Sequence, residues 1–368
     1  MKKPPLSFRS VLIFGGAGFI GSNWANHLLE TTDARIHIFD NLSRRGVEQN
    51  VSWLRKQAKD PERLKITIAD IRDVTAVERA VSGATEIYHF AAQVAVTSSL
   101  VDPRADFEVN ALGTLNILEA ARKAGREPFL LYTSTNKVYG NLSNQQLVAT
   151  DRHYCALEEK GVNESQSLEL WSPYGCSKGA GDQYVHDYSR HFALPTVVFR
   201  MSCIAGPRQF GNEDQGWVAH FVYSALEGKP VTIYGDGRQV RDVLCVKDLV
   251  RALERVRAQI EKTAGQIYNV GGGIRNAVSL REVIDEIEIA TGKRLRYTVQ
   301  RPRSGDQLYY VSDFTKLRKH TGWNPQYTVR QTIKALVEWW NERRPIEEPM
   351  PVAPIGRTVM VPFPEAAS

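Results

Sequence analysis

A short apolar run, Ser10 to Phe14, leads straight into Gly15-Gly16-Ala17-Gly18-Phe19-Ile20-Gly21, after which Trp24, Leu28 and Leu29 recur at helical spacing. This order of strand, glycine turn and helix constrains the fold more than anything else in the chain. Glycines without side chains let the backbone approach a bound pyrophosphate, and the new helix offers its N-terminal amides to the negative charge. The next apolar run, Ile36-His37-Ile38-Phe39, ends at Asp40-Asn41. An acid about 20 residues past the glycines is placed to hold an adenosine ribose. The Asp40 carboxylate would repel a 2′-phosphate, so the expected cofactor is NAD rather than NADP, although Arg44 and Arg45 stand close by.

The first half alternates strand and helix, as in a parallel doubly wound sheet. Further strands are expected at Leu64 to Ala69, Glu86 to Phe90, Phe129 to Thr133 and Thr196 to Arg200. The clearest helix runs from Phe107 to Lys123, with an apolar stripe of Leu112, Leu115, Ile117 and Leu118, closed by Gly125. That stripe is either core or a subunit interface. From about Cys203 the elements shorten around Gly206-Pro207, Gly235-Asp236-Gly237 and Gly271-Gly272-Gly273, which predicts a smaller lobe interleaved with late strands such as Gln266 to Val270. The expected division is a cofactor domain of residues 1–202 with returning segments near 243–272, and a substrate lobe of 203–242 and 273–344. The proline-rich tail, 345–368, is expected to be extended or disordered.

A second constellation lies in the middle of the chain. Tyr174 and Lys178 fall four apart on a helix and so share one face. Thr135 ends the strand before them, in Thr133-Ser134-Thr135-Asn136-Lys137-Val138-Tyr139-Gly140. A cation beside a phenol favours the phenolate, which is a general base for a sugar hydroxyl. A Tyr-x-x-x-Lys pair alone is commonplace on helix surfaces; the glycine turn at the other end of the chain gives this one meaning.

Composition excludes several classes. The net charge of +6 over 368 residues is dispersed, which suits an anionic substrate and lacks the basic stripe of a nucleic-acid binder. Cys155, Cys176, Cys203 and Cys245 have no Cys-x-x-Cys spacing, so neither a metal site nor a disulfide framework is expected, and a cytoplasmic location fits reduced thiols. Lys2, Lys3 and the apolar residues after them resemble a signal peptide, but those residues belong to the first strand and its turn. No apolar stretch approaches the roughly 18 residues of a membrane span.

Taken in order, these motifs resemble the nucleotide-sugar branch of the extended short-chain dehydrogenase/reductase family, from about Ser10 to Glu342: the glycine turn, Asp40, Asp70-Ile71, His89-Phe90-Ala91-Ala92, Asn110, Thr135, Tyr174 with Lys178, Arg200 and Arg241-Asp242. The resemblance implies an enzyme whose NAD is contacted by Gly15, Gly18, Phe19, Ile20, Gly21, Asp40, Asn41, Ser43, Asp70, Ile71, Ala91, Ala92, Gln93, Asn110, Thr133, Tyr174 and Lys178. It implies Thr135, Tyr174 and Lys178 as catalytic residues, with Lys178 lowering the Tyr174 pKa. It implies substrate contacts from Thr97, Asn136, Gln209, Phe210, Gln215, Trp217, Arg241, Arg303 and Asp306, the two arginines on a pyrophosphate, and a homodimer or homotetramer.

Within this branch, sugar 4,6-dehydratases carry an Asp-Glu pair after the threonine, where this chain has Asn136 and Lys137. Decarboxylating relatives have a glutamate at the Lys137 place. The stretches around Thr135, Tyr174, Arg208-Gln209-Phe210 and Gly237 to Leu244 resemble those of the branch's 2-epimerases, and that resemblance implies epimerisation at carbon 2 of a nucleotide sugar, a CDP-sugar first, with the natural sugar and base left open. A 4-epimerase of the same family and a non-catalytic dinucleotide sensor or scaffold are the alternatives; keeping both Tyr174 and Lys178 weighs against the sensor.

Overall fold

The computed structural model describes residues 9–343 other than 159 and 304; the tail read as extended or disordered lies outside the described residues. Five strands open the chain, β1 (Ser10–Phe14), β2 (Arg35–Asp40), β3 (Leu64–Ile68), β4 (Glu86–His89) and β5 (Phe129–Thr135). A hairpin of β6 (Leu147–Ala149) and β7 (Tyr154–Ala156) follows, then β8 (Thr196–Met201), β9 (Cys203–Ala205), β10 (Val231–Tyr234), β11 (Val240–Cys245) and β12 (Gln266–Val270). Three short strands, β13 (Ala277–Ser279), β14 (Tyr297–Gln300) and β15 (Tyr309–Tyr310), complete the set.

Seven of these form one sheet in the order β12-β8-β5-β4-β1-β2-β3, parallel throughout. Strands covered on both faces read as continuous apolar runs, and successive side chains of β1 show why. Val11 and Ile13 enter one core with Trp24, Leu28, Leu54, Leu253 and Trp323. Leu12 and Phe14 enter the opposite core with Val77, Ile117, Leu118 and Val185. The first face is covered by helices Phe19–Thr31, Val47–Gln57 and Val246–Ala258, the second by Val74–Val81, Gly113–Lys123 and Ser172–Phe192. The expected doubly wound α/β fold is therefore present. Because β1 pairs with both β2 and β4, the winding reverses at the carboxyl ends of β1 and β4, where open parallel sheets take their ligands.

A third core gathers helices Trp217–Glu227, Leu280–Thr291 and Val329–Glu342 around Val231, Ile233 and Val243. Its strands pair across long sequence gaps. The first half of β11 lies between β13 and β15, and its second half pairs with β9. β11 thus leads from this core back to the helix Val246–Ala258, and β12 returns to the edge of the large sheet beside β8.

The helix expected from Phe107 is not uniform. Pro103–Phe107 and Gly113–Lys123 are α-helical, and Glu108–Leu112 between them is a π turn. Of its apolar stripe, Ile117 and Leu118 belong to the core, whereas Leu112 is exposed.

Candidate active site

At the end of β1 the chain turns through Gly15, with φ of 73°. A Cβ there would stand 2.5 Å from the Ala91 backbone nitrogen, and one on Gly21 would stand 2.3 Å from the Gly15 carbonyl oxygen. The turn therefore closes against the end of β4 only because it has no side chains. Gly18 provides no side-chain cap for the helix that starts at Phe19, which leaves the first-turn amides open to an anion. Ile20 packs on the core behind them.

Asp40 ends β2 and accepts from the Ala17 amide at 3.0 Å and the Leu42 amide at 2.9 Å. Burial raises its carboxyl above the ordinary range despite these bonds. Asn41 donates to Asp70 at 2.9 Å, and its own Oδ1 accepts the Ser43 amide at 3.1 Å. The side-chain hydrogen bonds from Arg72 hold Asp70 down at about 2. Ile71 is buried, pressed on the Cβ-free flank of Gly113. A glycine cradle, open helix amides and a carboxylate at the next strand end fit a dinucleotide with its adenosine over β2 and β3.

The helix Ser172–Phe192 runs close against β5 because its inner face is small. A Cβ on Gly181 would lie 2.6 Å from the Tyr132 oxygen, and one on Gly179 2.4 Å from Leu170. This brings Tyr174 and Lys178 to Thr133 and Thr135, all of them buried. Lys178 Nζ donates to the Thr133 carbonyl at 2.7 Å and lies 4.1 Å from the centre of the Tyr132 ring. Beside it, Asn110 holds the Gln93 main chain from both sides: its Oδ1 accepts the Gln93 amide at 2.9 Å, and its Nδ2 donates to the Gln93 carbonyl at 2.9 Å. The same Nδ2 reaches Asp106 and the Ser177 hydroxyl. The π turn is what aims Asn110 inward, and such turns recur at functional sites. Ala91 and Ala92 line the half-buried chain between β4 and Gln93.

The electrostatics differ from the expectation that Lys178 depresses Tyr174. Burial pushes the Tyr174 phenol up to about 12, opposed by the Thr135 hydrogen bond and by Arg44. Burial also brings Lys178 down to about 7, with Asp182 and Asp106 acting the other way. Burial acts first on both groups and is the physical reason for the difference. Arg200, the remaining motif residue of this half, forms a buried fork with Asp182, both bonds 2.8 Å, and donates to Tyr139 at 3.1 Å. It ties the helix Ser172–Phe192 to the turn Asn136–Tyr139.

Among the residues expected at the substrate, Arg241 on β11 has its Nη2 2.6 Å from Asp306. Lys137 Nζ reaches the same carboxylate oxygen at 3.5 Å. Burial acts to raise the Asp306 carboxyl, but Arg241 and Lys137 outweigh it and hold it low. Arg303 is engaged elsewhere, 3.2 Å from Asp214 and 3.9 Å from the centre of the Tyr234 ring. Asn136 donates to Gln307 at 3.2 Å. Trp217 donates to the Cys203 sulfur at 3.4 Å. Gln209 is buried with Nε2 on the Ile204 carbonyl at 3.1 Å and Oε1 unpartnered among the described residues. The Oγ1 of Thr97 is likewise buried and unpartnered. The Gln215 amide closes a turn on Asn212 at 2.9 Å just before the helix Trp217–Glu227. The Phe210 ring packs on Trp339, 5.5 Å between centres, and beside Gly46, with the Arg343 guanidinium 5.1 Å from its centre.

The structure thus joins Thr133, Thr135, Asn136, Tyr174 and Lys178 in one buried group, and Arg241 with Asp306 in a second. Arg303 and Phe210 have their contacts outside both. Lys137 enters the sequence reading only as the residue that takes the place of an acid, and Gln307 does not enter it; for Gln307, adjacency to Asp306 is the one signal in the sequence.

A model of the GDP-mannose 4,6 dehydratase family matches residues 12–336. The chain belongs to that family. One relative, the CDP-paratose 2-epimerase of Salmonella typhi, is 40% identical over 337 residues, spanning 89% of this chain and 98% of that protein. The dTDP-glucose 4,6-dehydratase of Shigella flexneri is 32% identical over 348 residues, covering 90% and 92%. Among solved structures, the UDP-glucose 4-epimerase of Thermus thermophilus in complex with NAD superposes with a TM-score of 0.77 at 34% identity, over 90% of this chain and 99% of that one. Members of the family thus carry different reactions on one fold, and the choice among them rests on side chains.

Proposed function

We propose that the chain is an NAD-dependent nucleotide-sugar 2-epimerase, acting on a CDP-sugar as its 40%-identical relative's name describes. The observation that carries this reading is the buried Thr135–Tyr174–Lys178 group followed by Asn136 and Lys137. An alcohol can be oxidised there, yet the acid and base needed to eliminate water are replaced by an amide and a cation.

Tyr174 accepts the proton of the carbon-2 hydroxyl, with the Thr135 hydroxyl orienting the reacting oxygen. Arg241 and Lys137 face the negative charge of the substrate diphosphate, in place of Asp306. NAD, when bound, supplies the hydride acceptor for oxidation at carbon 2 and the donor for its reversal. The glycine cradle and Asp40 hold its two ends, and Asn110 fixes the chain at Gln93 beside it. The 2-keto sugar turns over within the site so that its other face receives the returned hydride, and Tyr174 gives the proton back to the carbon-2 oxygen. Burial raises the Tyr174 phenol, so the step needs positive charge beside it, which Lys178 and NAD, when bound, would supply.

The two lobes meet over the carboxyl edge of the large sheet. Val101 and Phe107 are 86% and 55% exposed on helices that pack against Ser172–Phe192, where Tyr184 is exposed as well. That apolar face supports a homodimer, with a tetramer as the alternative. No helix among the described residues is long and apolar enough to cross a membrane, which is compatible with the cytoplasmic location proposed here.

The test is conversion of a panel of nucleotide sugars by purified protein, with products identified by NMR. Inversion at carbon 2 supports the proposal. Inversion at carbon 4 would make the protein a 4-epimerase, a reading favoured by the likeness to proteins such as the Thermus enzyme.

A further inference from the structure

Gln307 is wholly buried in the segment between Asp306 and β15. Its Nε2 donates to the Gly140 carbonyl at 2.7 Å and to the Asn136 carbonyl at 3.4 Å. Turning the amide over would set oxygen against two carbonyl oxygens, so the main chain dictates its polarity. Gln307 Oε1 must then accept, and it does so from Asn136 Nδ2 at 3.2 Å. This spends the donor side of Asn136 and turns its Oδ1 toward the Thr135 hydroxyl, 3.3 Å away. The Thr135 oxygen in turn accepts the Lys137 amide at 3.2 Å.

A hydroxyl has one hydrogen to give. The Thr135 hydrogen therefore has two claimants: Asn136 Oδ1, toward which it points at 3.3 Å, and the buried phenol of Tyr174, whose ionised form it favours when turned that way. We propose that Gln307 is a positioning residue: through Asn136 it holds the Thr135 hydrogen away from Tyr174, so that the phenol keeps its own proton while the site is empty. No bond to hydrogen breaks at Thr135; only its direction changes. The neighbouring residue, Asp306, is the one shared by Arg241 and Lys137. A substrate diphosphate that displaces Asp306 would move the segment holding Gln307 and release the Thr135 hydrogen toward Tyr174.

This also explains the amide at residue 136. A carboxylate there would meet Gln307 Oε1 with no hydrogen between them, so the ladder works with asparagine and fails with an ionised aspartate.

The inference rests on Tyr174 being the base, and its test is read without substrate so that the two stand or fall separately. Tyrosinate formation is followed by ultraviolet difference titration of the NAD-loaded protein, each variant referenced to its own Tyr174→Phe partner. Gln307→Met and Asn136→Leu should each lower the Tyr174 midpoint by roughly one pH unit, since each gives the Thr135 hydrogen wholly to the phenolate. The double variant should shift no further than either single one, because both cut one chain. A merely structural role for Gln307 would lower the melting temperature and leave the midpoint in place. An unchanged or raised midpoint, or shifts that add, would overturn the proposal. If Gln307→Met does not fold, Asn136→Leu alone decides by the same criterion. A lowered midpoint in a protein that inverts no nucleotide sugar would uphold the ladder and remove the epimerase reading.

Discussion

Tyr174 and Lys178 have displaced ionisation for the same reason, burial, and in opposite directions. Lys178 titrates at about 7 in the folded chain and near 10.4 when unfolded. Between those values the unfolded chain holds a proton that the folded one has shed, so stability rises with pH across that window and falls as pH drops toward 7. The melting temperature of the parent relative to Lys178→Met should therefore climb from pH 7 to pH 9.5; a flat difference would show that Nζ is not desolvated. Tyr174→Phe removes only the phenol oxygen, so turnover should drop about 10²- to 10⁴-fold while NAD, measured after acid release, still co-purifies. Activity within threefold of the parent would discard Tyr174 as the base. At this scale helix spacing puts Tyr174 and Lys178 on one face, and the family resemblance is what adds Thr135, at the end of β5, to them. The sequence was silent about Lys178 donating to the Thr133 carbonyl and about Gln307, because those bonds join segments 45 and 171 residues apart.

Elements of the large sheet were legible for a simple reason: a parallel strand buried on both faces is a run of apolar residues, and a glycine turn marks where it ends. β1 to β5, β8 and β12 all lie where such runs stand. The short strands of the second core carry no such signature, since β11 draws its partners from β9, β13 and β15, and each contributes only two or three pairs. The π turn at Glu108–Leu112 was equally hidden, as its inward residue, Asn110, bonds to Gln93 in another segment. Gly15→Ala tests the turn itself. The left-handed backbone costs a non-glycine residue about 1–3 kcal/mol, and the new Cβ would meet the chain at Ala91. The variant should melt lower and purify without NAD; full NAD occupancy would contradict the cradle.

For the whole molecule, the exposed face of Val101, Phe107 and Tyr184 predicts a dimeric mass by light scattering at micromolar concentration, and Phe107→Lys with Val101→Lys should reduce it to a monomer. A monomeric parent would remove that interface. The central claim concerns the hydrogen on carbon 2 of the sugar. If it is taken up and returned within one closed site, a substrate carrying deuterium at carbon 2 must give product with deuterium still at carbon 2, and solvent deuterium must not enter any carbon-bound position. Mass spectrometry and NMR of the product, with turnover depending on NAD and slowed by the label, would be the predicted result. Loss of the label to solvent, or turnover by protein stripped of NAD, would contradict it.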